Sequence, residues 1–391
     1  MSLSVYIHLP YCLHKCPYCD FNTYAVRDFP ERRYAEAIGR EIKAAAASPA
    51  WAGRAVSTVF FGGGTPSLFQ PATIADIMGR LAALFGFADD PEITLEANPG
   101  TLEGGGLQRL KGLRAAGVNR LSIGCQSFSK KELDTLGRLH TAEDSALAIE
   151  AARSAGFDSI SGDLIFAVPG QTVGDWEGDL EALIELGPDH VSTYNLTYET
   201  GTPMTVAMTK GQLTRTEEDI EAEMYELAID RLAEAGYRHY EISNFARPGY
   251  PSAHNMAYWT WRDYLGLGAG AHGFGRERPG TIGGGTPGFR YSNLRGPEDY
   301  MSARNGAWVA ESERLESEQA MSEFVMLGLR MIDGFIEHDF AEIFDCTLEN
   351  ASPSLAYMCS CGFIEREAGR VRLTRRGLML ADTVITKLAA A

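Results

Sequence analysis

The chain has 391 residues, 45% of them hydrophobic and 22% charged, a globular composition with room for one large domain and a smaller one. Its 35 Lys and Arg stand against 52 Asp and Glu, a formal net charge of -17 that repels phosphate backbones and anionic membrane surfaces and argues against a nucleic-acid partner. Residues 1–9 carry no basic, apolar leader and no later run reaches the roughly 18 apolar residues of a membrane span, so the expected location is cytoplasmic, without stable membrane insertion.

Short apolar runs rich in β-branched and aromatic residues predict strands at 5–9, 56–61, 93–97, 120–124, 159–166 and 190–196. Amphipathic patterns, several ending at Gly, predict helices between them at 31–47, 72–85, 107–116, 142–155 and 173–186. Repeated β-α alternation builds a parallel sheet with helices outside, and six such units predict a partial, TIM-like (β/α)6 barrel whose gap admits a ligand. A helix is expected over 217–235. The aromatic-rich stretch 237–274 fits neither helix nor strand well, and the Gly- and Pro-dense run 273–288 reads as a boundary loop. Residues 1–290 are therefore expected to form the barrel. Residues 291–391 are expected to form a smaller α+β, winged-helix-like domain, with helices at 317–331 and 336–344, a hairpin at 363–373 turning at Gly369, and a final helix from Leu378. The acidic balance argues against a DNA-reading role for that wing.

Seven cysteines are an odd number, and three of them fall within eight positions, in His8-Leu-Pro-Tyr-Cys12-Leu-His-Lys-Cys16-Pro-Tyr-Cys19. Such crowding is poor disulfide arithmetic and good metal chemistry. Thiolates suit zinc or an iron-sulfur cube, and three of them leave one cluster iron open. A zinc knuckle completed by His8 or His14 is the plainer alternative. Cys125, Cys346, Cys359 and Cys361 are scattered and read as small buried hydrophobes.

The C-x3-C-x2-C spacing, with Tyr18 before the last cysteine, resembles the radical S-adenosylmethionine (SAM) superfamily. That resemblance implies a 4Fe-4S cluster on Cys12, Cys16 and Cys19 whose open iron is chelated by SAM. The tails of the later strands provide an independent check, because barrel sites are built at strand ends. Gly62-Gly63-Gly64-Thr65-Pro66 follows the second strand and reads alone as a tight turn, Glu96 and Gln126 end the third and fourth, and Asp163 lies inside the fifth. The plainer alternative for Asp163 is half of a buried salt bridge, and Arg138 could pair with it or with a ligand carboxylate.

Together these residues resemble the oxygen-independent coproporphyrinogen III dehydrogenase-like branch, along nearly the whole chain. The resemblance implies SAM contacts at Tyr6, Tyr18, Gly63, Gly64, Thr65, Glu96, Gln126, Arg138 and Asp163, another near Leu196 or Thr197, and a second SAM near Ala271 and His272. Within the branch, the dehydrogenase has a fourth Cys where this chain has Phe21, and an N-terminal extension where this chain enters its first strand almost at once. His254-Asn255-Met256-Ala257-Tyr258-Trp259 instead resembles the H-N-x-x-Y-W element of the haem chaperones called HemW. A lone His among aromatics is otherwise more often structural. The HemW resemblance implies His254, Tyr258 and Trp259 as haem-binding residues, haem as cargo, respiratory haemoproteins as acceptors, a donor such as bacterioferritin, and a possible homodimer. The alternative is the dehydrogenase itself.

Overall fold

Six apolar runs form the parallel strands that their composition predicts: β1 (Leu3–Leu9), β2 (Val56–Gly63), β3 (Phe87–Ala97), β4 (Arg120–Gln126), β5 (Ser159–Phe166) and β6 (His190–Asn195). The structure, a computed structural model, describes residues 2–102, 106–276 and 288–389. Helices α1 (Glu31–Ala47), α2 (Pro71–Leu84), α3 (Leu107–Ala115), α4 (Ala142–Ser154) and α5 (Val173–Leu186) alternate with the strands, each within a residue of its expected bounds. The start of α4 is fixed by a Thr141/Asp144 capping box and that of α5 by a Thr172/Asp175 one, each pair satisfying two backbone N–H groups that the first turn leaves open.

The strands have one oily and one polar face. Leu3, Val5, Ile7 and Leu9 of β1 are wholly buried in a core that also takes Ile38 and Ile42 of α1 and Val59 and Phe61 of β2. Truncating one such side chain to Ala costs about 2–5 kcal/mol. The alternate positions Ser4, Tyr6 and His8 face the other way, into the barrel.

The segment 237–274, which gave no clear pattern in sequence, is regular in structure. It supplies β7 (Arg238–Glu241), β8 (Asn244–Ala246), a helix α6 (Ala253–Trp259), β9 (Tyr264–Leu267) and most of β10 (His272–Arg276). These pieces are three to seven residues long, too short for a period to show, and β9 is identified by its parallel pairing with β1 rather than by composition. The sheet continues through β11 (Gly288–Asn293) and β12 (Val309–Leu315), past the boundary expected near residue 290. The Gly- and Pro-dense run joins two neighbouring strands, since His272 pairs with Ser292 and Arg276 with Gly288. Residues 277–287 of that run lie outside the described residues. Among the described residues the twelve strands order as β12-β11-β10-β9-β1-β2-β3-β4-β5-β6-β8-β7.

Beyond Leu315 a second core gathers Phe324 and Val325 of helix α7 (Ser317–Gly328), Phe340 of α8 (Glu337–Phe344), and Ile364 and Val371 of the hairpin β14–β15 (Ile364–Glu367 and Arg370–Leu373). Phe335 and Ile336 form β13 on that hairpin, and Gly369 turns it at φ +75°, giving the winged-helix-like arrangement. Trp261 and Phe274 of the main sheet region join this second core, which seats the small domain against the end of the barrel where the strands begin.

Candidate functional site

Side chains alternate across a strand, so every second residue of the barrel strands points into the lumen. Those positions are Thr94 and Glu96 on β3, Arg120, Ser122 and Gln126 on β4, Asp163 on β5, and His190 and Ser192 on β6. All line one cavity of about 590 Å3. A barrel interior is ordinarily packed with aliphatic side chains, and a polar lumen of this size is a ligand site.

The cysteine loop closes the top. Cys12 is buried, Cys16 and Cys19 are half-buried, all three are free, and all three line the same cavity. A short bridge pairs Tyr11–Cys12 with Tyr24–Ala25, and Cys19 N donates to Cys16 O at 3.1 Å, which shapes the loop before any metal is present. Thr65 Oγ1 donates to Cys12 Sγ at 3.4 Å and Arg138 Nη1 to Cys16 Sγ at 3.6 Å. Burial holds the Cys12 and Cys19 thiols above their ordinary range, so thiolates form there when a cation compensates them, as metal binding does.

The zinc alternative loses one of its ligands. His8 Nδ1 lies 3.0 Å from the Tyr6 hydroxyl and His8 Nε2 lies 2.9 Å from Asn22 O, so both ring nitrogens are engaged. Among the described residues no three His, Cys, Asp or Glu side chains converge on a single ion. Three thiols facing one cavity, each able to meet a different iron, fit a cube.

The glycine run has a structural reason of its own. Gly64 N donates to Leu9 O at 2.8 Å, and a Cβ on Gly64 would come within 2.6 Å of Tyr11 O, so only glycine lets this loop run against the cysteine loop. Gly63 has φ +112° and its N–H donates to Glu96 Oε2 at 3.0 Å.

Glu96 and Asp163 have hydroxyl and amide partners but form no ion pair among the described residues. Ser122 Oγ donates to Asp163 Oδ2 at 2.6 Å and Ser161 Oγ to Asp163 Oδ1 at 2.9 Å. Burial, reinforced by the nearby Asp163 charge, pushes Glu96 up to about 7, and burial likewise raises Asp163. Arg120, on the same cavity, offsets part of the Asp163 charge from a distance, and two buried carboxyls with no direct ion pair among the described residues are set to receive a cation. Of the two partners open to Arg138 in the sequence, Asp163 is not one that it pairs with: Arg138 Nη2 donates to Gly124 O at 3.0 Å, Arg138 faces Cys16, and its Nε is buried without a partner. The residues therefore fit a ligand carrying a positive centre, an amine and a carboxylate beside a cluster, as SAM does.

Tyr18, Leu196 and Thr197 also line the cavity, and Phe21, 65% exposed, stands at its mouth. Ala271 and His272 are not among its lining residues; His272 opens β10, near enough to His8 to act on it electrostatically. His254 is wholly buried below the lumen. Its Nδ1 lies 2.8 Å from Thr58 Oγ1 and its Nε2 2.8 Å from the Tyr258 hydroxyl, and burial lowers its pKa to about 3. Trp259 is half-buried, with its ring under Arg330 at 4.4 Å. Arg120, Ser122, His190 and Ser192 went unnoticed in the sequence. The signal was available as the period-2 alternation of β4 and β6, which places them beside Gln126 and Asp163.

The Radical SAM superfamily model matches residues 6–183, and the HemN C-terminal domain model matches residues 315–380. The Bacillus subtilis protein named heme chaperone HemW is 35% identical over 97% of this chain and 97% of its own length, and the Escherichia coli protein of the same name is 34% identical over 98% and 97%. The chain belongs to the radical SAM superfamily, in the HemW family. A Danio rerio relative, the mitochondrial radical S-adenosyl methionine domain-containing protein 1, is 36% identical over 98% of this chain and 86% of its own. Among solved structures, the radical SAM enzyme coproporphyrinogen III oxidase (HemN) from Escherichia coli superimposes with a TM-score of 0.82 at 25% identity, over 99% of this chain and 90% of that one. The α/β radical SAM fold with its added C-terminal domain is thus established. No helix among the described residues is long and apolar enough to cross a membrane.

Proposed function

We propose that this chain carries a 4Fe-4S cluster on Cys12, Cys16 and Cys19, holds SAM in the barrel lumen, and binds haem for delivery to acceptor haemoproteins such as respiratory enzymes, in the cytoplasm. The observation that carries this reading is the meeting of three free thiols with Glu96, Gln126, Arg138 and Asp163 on one cavity, in a chain whose full-length relatives are named haem chaperones. Thiol ligation fits a compartment that keeps cysteines reduced.

Bound at the open iron, SAM supplies either a 5′-deoxyadenosyl radical on reduction or a ligand that signals occupancy. The chain's own residues bind and orient it. Arg138 receives the carboxylate, because its guanidinium already faces the cluster loop and keeps an N–H without a partner. Glu96 and Asp163 face the positive centre and offset its charge. The loop of Gly63, Gly64 and Thr65, with Tyr6 and Tyr18, fixes the cysteine loop above them. Haem binds through the element His254 to Trp259, with Tyr258 holding the imidazole.

The second reading, coproporphyrinogen III dehydrogenase, is favoured by the whole-chain likeness to the HemN structure. Phe21, in place of that enzyme's fourth Cys, disfavours it. Anaerobic incubation of cluster-reconstituted protein with SAM, a strong reductant and coproporphyrinogen III separates the two. The chaperone reading expects no decarboxylated product and stoichiometric haem binding in a parallel titration; product formed at many turnovers would overturn it.

A further inference from the structure

A second cavity, of about 1010 Å3, lies on the opposite face of α6 from the SAM cavity, between the start of the barrel strands and the C-terminal domain. The helix is the partition. Ser252 and Asn255 line the SAM cavity, while Met256, Trp259 and Thr260 line the second. The far wall comes from the small domain, with Phe324, Met331 and Phe335. This volume is at the upper end for small-molecule sites and has room for a large ligand, with apolar walls and a charged rim.

The rim is charged in the sense opposite to the protein. Six arginines border this cavity against four carboxylates, in a chain of net charge -17. Asp263 is taken up by Arg54 and Arg276, and Asp333 by Arg238. Arg247 donates to Pro188 O and leans on the Tyr237 ring, and neither Arg247 nor Arg262 forms an ion pair among the described residues. These two exposed guanidiniums flank α6 in sequence, one before it and one after it. The Trp259 indole N–H, on the wall of the same cavity, is buried without a hydrogen-bond partner.

We infer that this second cavity is where the haem sits, its ring against Met256 and Trp259 on one side and the small domain on the other, its propionates held by Arg247 and Arg262. The inference rests on the haem-binding reading above and deepens it, because His254 faces the barrel side and has both nitrogens engaged. Its part is to pin the helix whose outer face meets the porphyrin. The ligand class follows from the lining: a broad apolar body needs the aromatic and thioether walls, and two carboxylates need two guanidiniums that no carboxylate among the described residues holds. Because α6 borders both cavities, haem on one face and SAM on the other meet through a single two-turn element.

The test is a haem titration of the full-length protein, followed in the Soret band, for the unaltered chain, Arg262→Glu and the double variant Arg247→Glu/Arg262→Glu, each also titrated with haem dimethyl ester, whose propionates are capped. Arg262 is exposed and unpaired, so its reversal leaves folding untouched, and unaltered thermal unfolding checks this. The expected result is a loss of affinity of about tenfold for Arg262→Glu and more for the double variant, with the ester bound equally by all three. Haem bound by the unaltered chain and equally well by the double variant would overturn the location while leaving the chaperone reading intact. No haem bound by the unaltered chain would overturn both.

Discussion

His254 Nδ1 lies 2.8 Å from Thr58 Oγ1, which ties α6 to the second strand of the barrel. With Nε2 occupied by Tyr258, the imidazole is a neutral, buried clamp between a strand and its own helix. Replacing it by Ala leaves the Thr58 and Tyr258 hydroxyls unsatisfied and opens a cavity. His254→Ala should therefore lower stability by about 2–4 kcal/mol, read as a fall in the urea midpoint. An unchanged midpoint would mean that the ring is not built into the fold.

Glu96 gives a pH signature. Burial first, and Asp163 second, push it up to about 7 from an ordinary 4.5. Between those values the native state holds a proton that the unfolded state has lost, so stability falls as pH rises from about 4.5 to 7. Glu96→Gln removes that slope. The ligand-free variant should gain roughly 1–3 kcal/mol at about pH 8 and nothing at about pH 4, measured by denaturant midpoints. Parallel profiles for the two proteins would show that Glu96 is not strained by burial.

Asp163 is held by the Ser122 and Ser161 hydroxyls and forms no direct ion pair among the described residues. Asp163→Asn keeps the shape and one acceptor oxygen but removes the charge offered to a ligand. SAM affinity of the cluster-loaded protein should drop by about 10- to 100-fold, the worth of a hydrogen bond to a charged group, with cluster absorbance unchanged. Unaltered SAM affinity would make Asp163 a structural residue.

The barrel was legible because its signals are local: six β-branched runs alternate with helices, two of them opened by capping boxes, and the helix bounds came within a residue of those expected while the third strand starts earlier, at Phe87. The cysteine loop was legible for the same reason, since Cys12, Cys16 and Cys19 sit on one continuous turn. The strands β7 to β10 were not, because pieces as short as Asn244–Ala246 are held by their neighbours in the sheet rather than by their own pattern. The closeness of Gly64 to the backbone of Tyr11, which by itself demands glycine there, could not be read from the sequence. The roles of Arg138 and His254 also depended on neighbours far away in sequence. Arg138 faces Cys16, 122 positions away, and His254 reaches Thr58 across 196. The lumen residues Ser122 and Ser192 were hidden by being ordinary and became significant only once the alternation of β4 and β6 pointed them at Asp163.

Cluster loading tests the core of this account most directly. Anaerobic reconstitution of the full chain with iron and sulfide should give a brown protein with about four of each per chain. Cys12→Ala, Cys16→Ala and Cys19→Ala should each lose that absorbance while keeping the unfolding midpoint of the metal-free protein. Full iron, sulfide and colour retained in any of the three would contradict a cluster on these thiols, and with it the SAM site built above them.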